Sequence, residues 1–312
     1  MPKKTPDYDN VFKTMKSKHK RLFVSVINDC FGTNYPLDIK MEVLPSEGYL
    51  TGKEMADGSG EIEEKVSDFL IRIEGEIYLL ECQSYDDDFM AIRIAEYAFV
   101  AARQYADWDI GHARIKMPRF SVIYVKRTGK TPEKTTVTFA FPDGQEVTYA
   151  SANVILEEMT KEYMVEKRLF PYIPYYITRY EKELISGKGI ERAVCDLEYF
   201  RDEMVRLHGE KELSDEEMLD LKGFMNTIIT HITDGNQQEE RLVKIMGGTV
   251  IETESEKLVR RGIHEGEAKM LIEMGQEYGL DDMAILKRMQ EKIGLSLEQA
   301  VSYLKQYGKR LV

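Results

Sequence analysis

The run Val66-Ser67-Asp68-Phe69-Leu70-Ile71-Arg72-Ile73, the link Glu74-Gly75-Glu76 and the run Ile77-Tyr78-Leu79-Leu80-Glu81-Cys82-Gln83 decide the reading of this chain. Two β-rich runs around a short, Gly-containing connection predict a hairpin. Strand side chains alternate between faces, so Ile77, Leu79, Glu81 and Gln83 share one side, and Tyr78, Leu80 and Cys82 the other. The turn then decides which residue Asp68 meets. A two-residue Glu74-Gly75 turn sets it opposite Glu81, and a symmetric three-residue loop sets it opposite Cys82. The first register is adopted, because x-Gly suits a tight hairpin turn.

Upstream, Val11, Phe12, Met15, Leu22, Phe23, Val26, Ile27 and Cys30 recur at helical spacing and predict one amphipathic helix over 9–32, closed by Gly32. Residues 46–64, rich in Gly, Ser and acid, read as a loop. Downstream, Asp86-Asp87-Asp88 leads into a helix over 89–107 with Ile92, Ala95, Phe99 and Ala102 as its apolar stripe. Phe120 to Val125 reads as a buried strand, 135–141 and 145–149 as a hairpin around Pro142-Asp143-Gly144, and 154–156 as a further strand. After 160 the pattern turns helical: 160–169, 175–186, 189–208, 214–234, 236–246, 252–278, 281–293 and 296–306. The fold class is therefore α/β with an all-helical C-terminal part. The expected divisions are 1–185, 186–248 and a small module at 249–312.

No apolar run approaches the roughly 20 residues of a membrane span. The lysines near the start lack the apolar segment of a signal peptide. Three widely spaced cysteines, Cys30, Cys82 and Cys195, suggest reduced thiols and a cytoplasmic setting. The net charge of −12 argues against a protein that coats nucleic acid by charge alone. It is unevenly spread: +2 over residues 1–50, −9 over 51–90, +5 over 91–134 and −10 thereafter. An acidic block between basic ones fits a cation site beside a polyanion groove, and equally fits a charge-rich surface.

Adjacent strands lie about 4.8 Å apart, so Asp68 and Glu81 in the adopted register stand within reach of one hard divalent cation. A pair of acids where a strand leaves the core is the plainer alternative. Cys82, among apolar neighbours, reads as a core thiol. The cysteines and histidines lack zinc-ligand spacing, and no phosphate-binding loop, dinucleotide fingerprint or nucleophile elbow is present.

The ordered set Asp68, Glu81, Cys82 and Gln83 resembles the Asp…Glu-x-Gln form of the PD-(D/E)XK nuclease core, and more closely the Rpn family of recombination-promoting nucleases and transposase-like proteins. The similarity extends to Asp9-Asn10-Val11-Phe12-Lys13, to Arg93 and Tyr97, to Pro171 through Ile177 with Arg179 through Leu184, and to Gly262 through Glu267. The resemblance implies a restriction-endonuclease-like mixed sheet flanked by helices. It also implies Mg²⁺ (or Mn²⁺) held by Asp68 and Glu81, with the Cys82 carbonyl as a third ligand and Asp9 as an added acid. Gln83 stands where the wider superfamily has Lys. A Lys ammonium orients water and stabilises phosphate charge, whereas Gln supplies a neutral dipole.

The implied activity is metal-dependent hydrolysis of DNA phosphodiesters. Phosphate contacts are expected from Lys13, Arg93, Arg114, Lys116, Arg119, Lys126 and Arg127, and from Lys130 and Lys134 of the same basic stretch, with Arg93 either touching a phosphate or pinning the acidic hairpin. Solvated basic loops are the alternative for the stretch 114–134. The helical half is expected to serve assembly, including a homo-oligomer. A catalytically weak nuclease-fold protein acting as an interaction module is the rival reading.

Overall fold

The computed structural model describes residues 8–44, 47–50, 63–66, 69–84, 86–247, 254–278 and 280–308. The single helix expected over 9–32 is two, α1 (Tyr8–Lys18) and α2 (Phe23–Phe31), separated at His19 by a 3-10 turn, Lys20–Leu22. The break has a tertiary cause. Lys18 Nζ and His19 Nε2 both lie 2.8 Å from Asp220 Oδ2, and Arg21 pairs with Glu217. Gly32 closes α2 at φ 62°, the left-handed conformation that costs glycine least.

Strand β1 (Glu42–Val43) follows. At the two ends of the stretch read as a loop, β2 (Glu47–Leu50) and β3 (Glu63–Val66) pair antiparallel, so that expectation is corrected at both margins. Next come β4 (Phe69–Ile73) and β5 (Glu76–Gln83), joined by Glu74-Gly75 with φ of 50° and 84°. Positive φ at both central residues marks a type I′ turn, whose twist matches that of the flanking strands. The pairs Phe69↔Leu80 and Ile73↔Glu76 are those of the two-residue turn.

Helix α3 (Met90–Gln104) leads through a small hairpin, β6 (Asp107–Asp109) with β7 (His112–Arg114), into β8 (Arg119–Tyr124). A second hairpin, β9 (Lys134–Ala140) with β10 (Glu146–Ala152), precedes β11 (Val154–Ile155). The central sheet has the order β1-β4-β5-β8-β11. The pairs β1/β4 and β4/β5 are antiparallel, while β5/β8 and β8/β11 are parallel. A parallel pair cannot be closed by a hairpin, and α3 lies within the connection from β5 to β8.

Both faces of this sheet are covered, which explains the near-continuous apolar runs in its strands. Phe69, Ile71, Tyr78, Leu80 and Cys82 face a core shared with α1 and α2. Leu70, Ile77, Leu79, Phe120, Val122 and Tyr124 face Met90, Ile94, Tyr97, Ala98 and Ala101 of α3. The stripe expected on α3 is thereby corrected: Ile92 and Phe99 are exposed, and of the four residues named only Ala102 is fully buried. Every residue of that stripe is apolar, but the sheet selects a different face of the helix.

The helical part continues with α4 (Lys161–Glu166), a long 3-10 segment (Phe170–Tyr180), α5 (Glu181–Ser186), α6 (Glu191–Gly209), α7 (Asp215–Thr233) and α8 (Glu239–Ile245). Pro171 and Pro174, which lack N–H donors, lie in the 3-10 segment. Ser214 caps α7 in a reciprocal capping box with Glu217. The described residues of 186–247 do not form a core of their own. Leu197, Phe200, Leu221, Phe224 and Ile228 are buried in the same cluster as Phe12, Phe23 and Leu80. One compact unit therefore runs from Met1 to Ile251, and a second comprises Glu252–Val312. The second holds α9 (Glu254–Glu277), α10 (Asp282–Ile293) and α11 (Leu297–Tyr307) around Ile272, Ile285, Met289 and Ala300. No helix of the described residues is long and apolar enough to cross a membrane.

Candidate active site

The alternation of β5 places Glu81 and Gln83 beyond Ile77 and Leu79, on the side covered by α3. Their partners on β8 are Val122 and Tyr124. Glu81 is 0% exposed and Gln83 8%. A carboxylate buried at the end of an apolar strand face needs electrostatic compensation, since a charge in a low-dielectric interior is otherwise costly. Arg93, one turn into α3, brings it: its Nη2 lies 3.6 Å from Glu81 Oε2.

Arg93 is held on its other edges as well. Nη1 donates to Asp87 Oδ2 at 2.7 Å, and Nε donates to the Tyr97 hydroxyl at 3.2 Å. Partial burial pushes the Arg93 guanidinium down, but its bonds to Asp87 and Tyr97 and the Glu81 charge outweigh this and raise its pKa. Burial likewise pushes Asp87 up, and the bonds from Arg93 and from the Phe89 N–H outweigh it, leaving the carboxyl below its ordinary range. Arg93 therefore pins the acidic segment after β5. All three guanidinium nitrogens face protein groups, while the side chain keeps about one-third of its surface exposed.

A cleft of about 360 Å³ opens beside Gln83's neighbour Tyr124, lined in part by Asp86, Asp87, Asp88, Lys130 and Lys134. Asp86 accepts hydrogen bonds from the hydroxyls of Thr128 and Thr131. Burial and the nearby charges of Asp86 and Asp87 raise the Tyr124 phenol, against a hydrogen bond with Thr135 that lowers it.

Cys82 points the other way, fully buried in the larger core, as expected of a core thiol. Its backbone is placed differently from its side chain. The Gln83 carbonyl accepts from Val125 N at 3.0 Å, so Gln83 turns its backbone groups toward β8. Along a strand these groups alternate, and the Cys82 carbonyl is therefore directed to the side of β4. Asp68 and the side chain of Asp9 lie outside the described residues; the backbone of Asp9 belongs to α1.

The expected basic footprint divides in two. Arg119 pairs with Tyr78 across the sheet, whereas Tyr124 pairs with Gln83. Five residues of strand, roughly 17 Å at about 3.3 Å per residue, separate these levels. Arg119 packs on Phe31 and Tyr78 and donates to the Phe31 carbonyl at 2.7 Å. Lys116 pairs with Glu76 at the start of β5, and exposed Arg114 lies in β7, just before it in sequence. Arg119 and Lys116 thus stand by the start of β5, at the end of β8 away from Gln83. Lys126 and Arg127 follow β8 at the near end. Lys126 pairs with Glu181 and sits 5.7 Å from the Tyr8 ring, while Arg127 pairs with Glu133 and Glu158. Lys13 is half-buried in α1, and one turn later the Lys16 ammonium lies 5.6 Å from the Phe69 ring at the start of β4.

The basic stretch read from the sequence reaches the cleft wall through Lys130 and Lys134, whereas Asp87 as the specific partner of Arg93 was not read. The six-residue spacing of Asp87 and Arg93 crosses a helix start, which a periodicity argument does not span. Among the described residues, no group of three or more His, Cys, Asp and Glu side chains is gathered as a metal site. Comparison with protein-family models, with curated proteins and with solved structures gives no match.

Proposed function

We propose that this chain is a divalent-cation-dependent endonuclease that hydrolyses DNA phosphodiesters, of the PD-(D/E)XK type. One observation carries the reading. A fully buried carboxylate, Glu81, stands two residues before Gln83 on one face of β5, at the end of a sheet in which β4 is antiparallel and β8 parallel to that strand. The strand pairing matches the mixed sheet that the resemblance implies.

The donors suit a hard cation. Glu81 offers a carboxylate oxygen and Cys82 a backbone carbonyl directed toward β4, and Mg²⁺ takes such oxygen ligands together with water and phosphate. Asp68 and Asp9 would complete the set. Bound there, Mg²⁺ or Mn²⁺ would supply Lewis acidity and charge neutralisation at the scissile phosphate. Gln83 supplies an amide that both donates and accepts, which is enough to orient a water molecule but adds no charge. Arg93 holds the Glu81 side chain and the Asp87 segment in place. Lys130 and Lys134, on the cleft wall, are the nearby cations for the DNA backbone.

A second reading, a catalytically weak nuclease-fold protein that acts as an interaction module, is favoured by the commitment of Lys116, Lys126 and Arg127 to acidic partners. Incubating the full chain with supercoiled plasmid in Mg²⁺, Mn²⁺ or EDTA separates the two. Metal-dependent nicking that is lost in Asp68→Ala and in Glu81→Ala supports the nuclease. Cleavage persisting in both variants eliminates the site, and no cleavage by the parent chain with either metal favours the interaction module.

A further inference from the structure

We infer that Arg93 is a built-in counter-ion that competes with a divalent cation for Glu81, so that metal loading requires the guanidinium to yield its contact. The inference rests on the nuclease reading and adds a control element to the same site. Glu81 is fully buried, and the fixed positive charge beside its Oε2 stands 3.6 Å away on a neighbouring helix. Gln83, on the same face, brings no charge. Arg93 is held in this position by Asp87 at 2.7 Å and by Tyr97 at 3.2 Å, so its charge stays at the site whether or not a cation is bound.

The contact with Glu81 differs from the other two. At 3.6 Å it is longer than the roughly 2.7–2.9 Å of a charge-assisted hydrogen bond, whereas the Asp87 contact falls within that range. Glu81 is thus the more weakly held of Arg93's two acidic neighbours, and the one that can exchange partners without dismantling the network. The Arg93 side chain is about one-third exposed, and Asp87 lines the cleft. The network thereby runs from the buried carboxylate to the wall where a phosphate would arrive. A cation on Glu81 and the guanidinium repel one another, and a DNA phosphate near Arg93 would relieve that repulsion. Substrate and metal are then expected to bind with positive coupling.

The test is calorimetric titration of the full chain with Mn²⁺, without DNA, for the parent protein, Glu81→Gln, Arg93→Lys, Arg93→Gln and Asp87→Asn, with folding checked by circular dichroism. Removing a unit charge this close to the cation is expected to tighten Mn²⁺ binding about tenfold or more in Arg93→Gln, while Arg93→Lys stays within about threefold of the parent. Should Arg93→Gln fail to fold, Asp87→Asn reads the same contact with the opposite sign. Freeing Arg93 from Asp87 leaves its charge to Glu81 and weakens Mn²⁺ binding several-fold. Binding that is lost in Glu81→Gln but not tightened in Arg93→Gln, or left unchanged in Asp87→Asn, overturns the counter-ion and leaves the nuclease reading standing. Absence of Glu81-dependent Mn²⁺ binding in every variant overturns both.

Discussion

Replacing Glu81 by Gln is expected to stabilise the fold while abolishing metal-dependent cleavage. The side chain is 0% exposed, and Leu79 of the same strand face lies in the apolar cluster with Val122 and Tyr97. An ionised carboxylate there carries a desolvation cost of several kcal/mol, and the attraction of a guanidinium 3.6 Å away offsets it only in part. Gln has nearly the same volume and no charge. Arg93 is left with Asp87 and Tyr97, so the substitution strands no cation. The net gain is expected at about 1–2 kcal/mol, within the range seen when buried ion pairs give way to neutral groups. For a cooperative unit the size of Met1–Ile251, that corresponds to a rise in Tm of about 2–8 °C. The mirror substitution behaves oppositely. Arg93→Gln leaves Glu81 buried without its guanidinium and is expected to cost about 2–4 kcal/mol. Urea and thermal unfolding in EDTA measure both, with an unchanged m-value as the check that the midpoint reports stability. If Glu81→Gln instead loses 1 kcal/mol or more, about the threshold where a mutation ceases to be trivial, Glu81 is a structural ion-pair partner and the case for a site held at a cost in stability fails.

Three further outcomes follow from the fold. A chain ending at Ile251 is expected to unfold cooperatively on its own, whereas one ending at residue 185 should fail to fold, because Phe200, Leu221 and Phe224 complete the core around Phe12 and Phe23; limited proteolysis and calorimetry of the two fragments decide this. Asp220 and Glu217 are pushed up by burial, but Lys18 with His19 and Arg21 respectively outweigh that and lower both carboxyls; their stabilisation is present at neutral pH and is lost as pH falls through the carboxylate range, below about 4. The double variant Asp220→Asn/Glu217→Gln should therefore show a flatter dependence of unfolding free energy between pH 5 and 3, and an equally steep one would refute the linkage. Finally, Glu74 occupies a left-handed position at φ 50°, so Glu74→Asn is expected to stabilise the β4–β5 hairpin by up to about 1 kcal/mol, read as a shift in the urea midpoint.

Local chemistry made much of this molecule legible beforehand. The Glu74-Gly75 link specifies a tight turn, the turn specifies the register Phe69↔Leu80, and alternation along β5 puts Glu81 and Gln83 on a face opposite Cys82. The stop at Gly32 is equally local, because a left-handed residue ends a helix within one turn. Contacts between distant residues were not legible in that way. Periodicity identified an apolar stripe on α3, but Ile92 and Phe99 turned outward, because the choice of buried face belongs to the sheet beneath. Positive charge near Glu81 in the chain suggested a groove, yet strand direction carried Arg119 to the far end of β8 and acidic partners took Lys126 and Arg127. The break at His19 depends on Asp220, some two hundred residues away. Alternation and turn geometry are properties of neighbouring residues, and the sequence alone determined them. Which cation stands beside a buried carboxylate depends on how α3 packs on the sheet, and only the tertiary structure decided that it is Arg93.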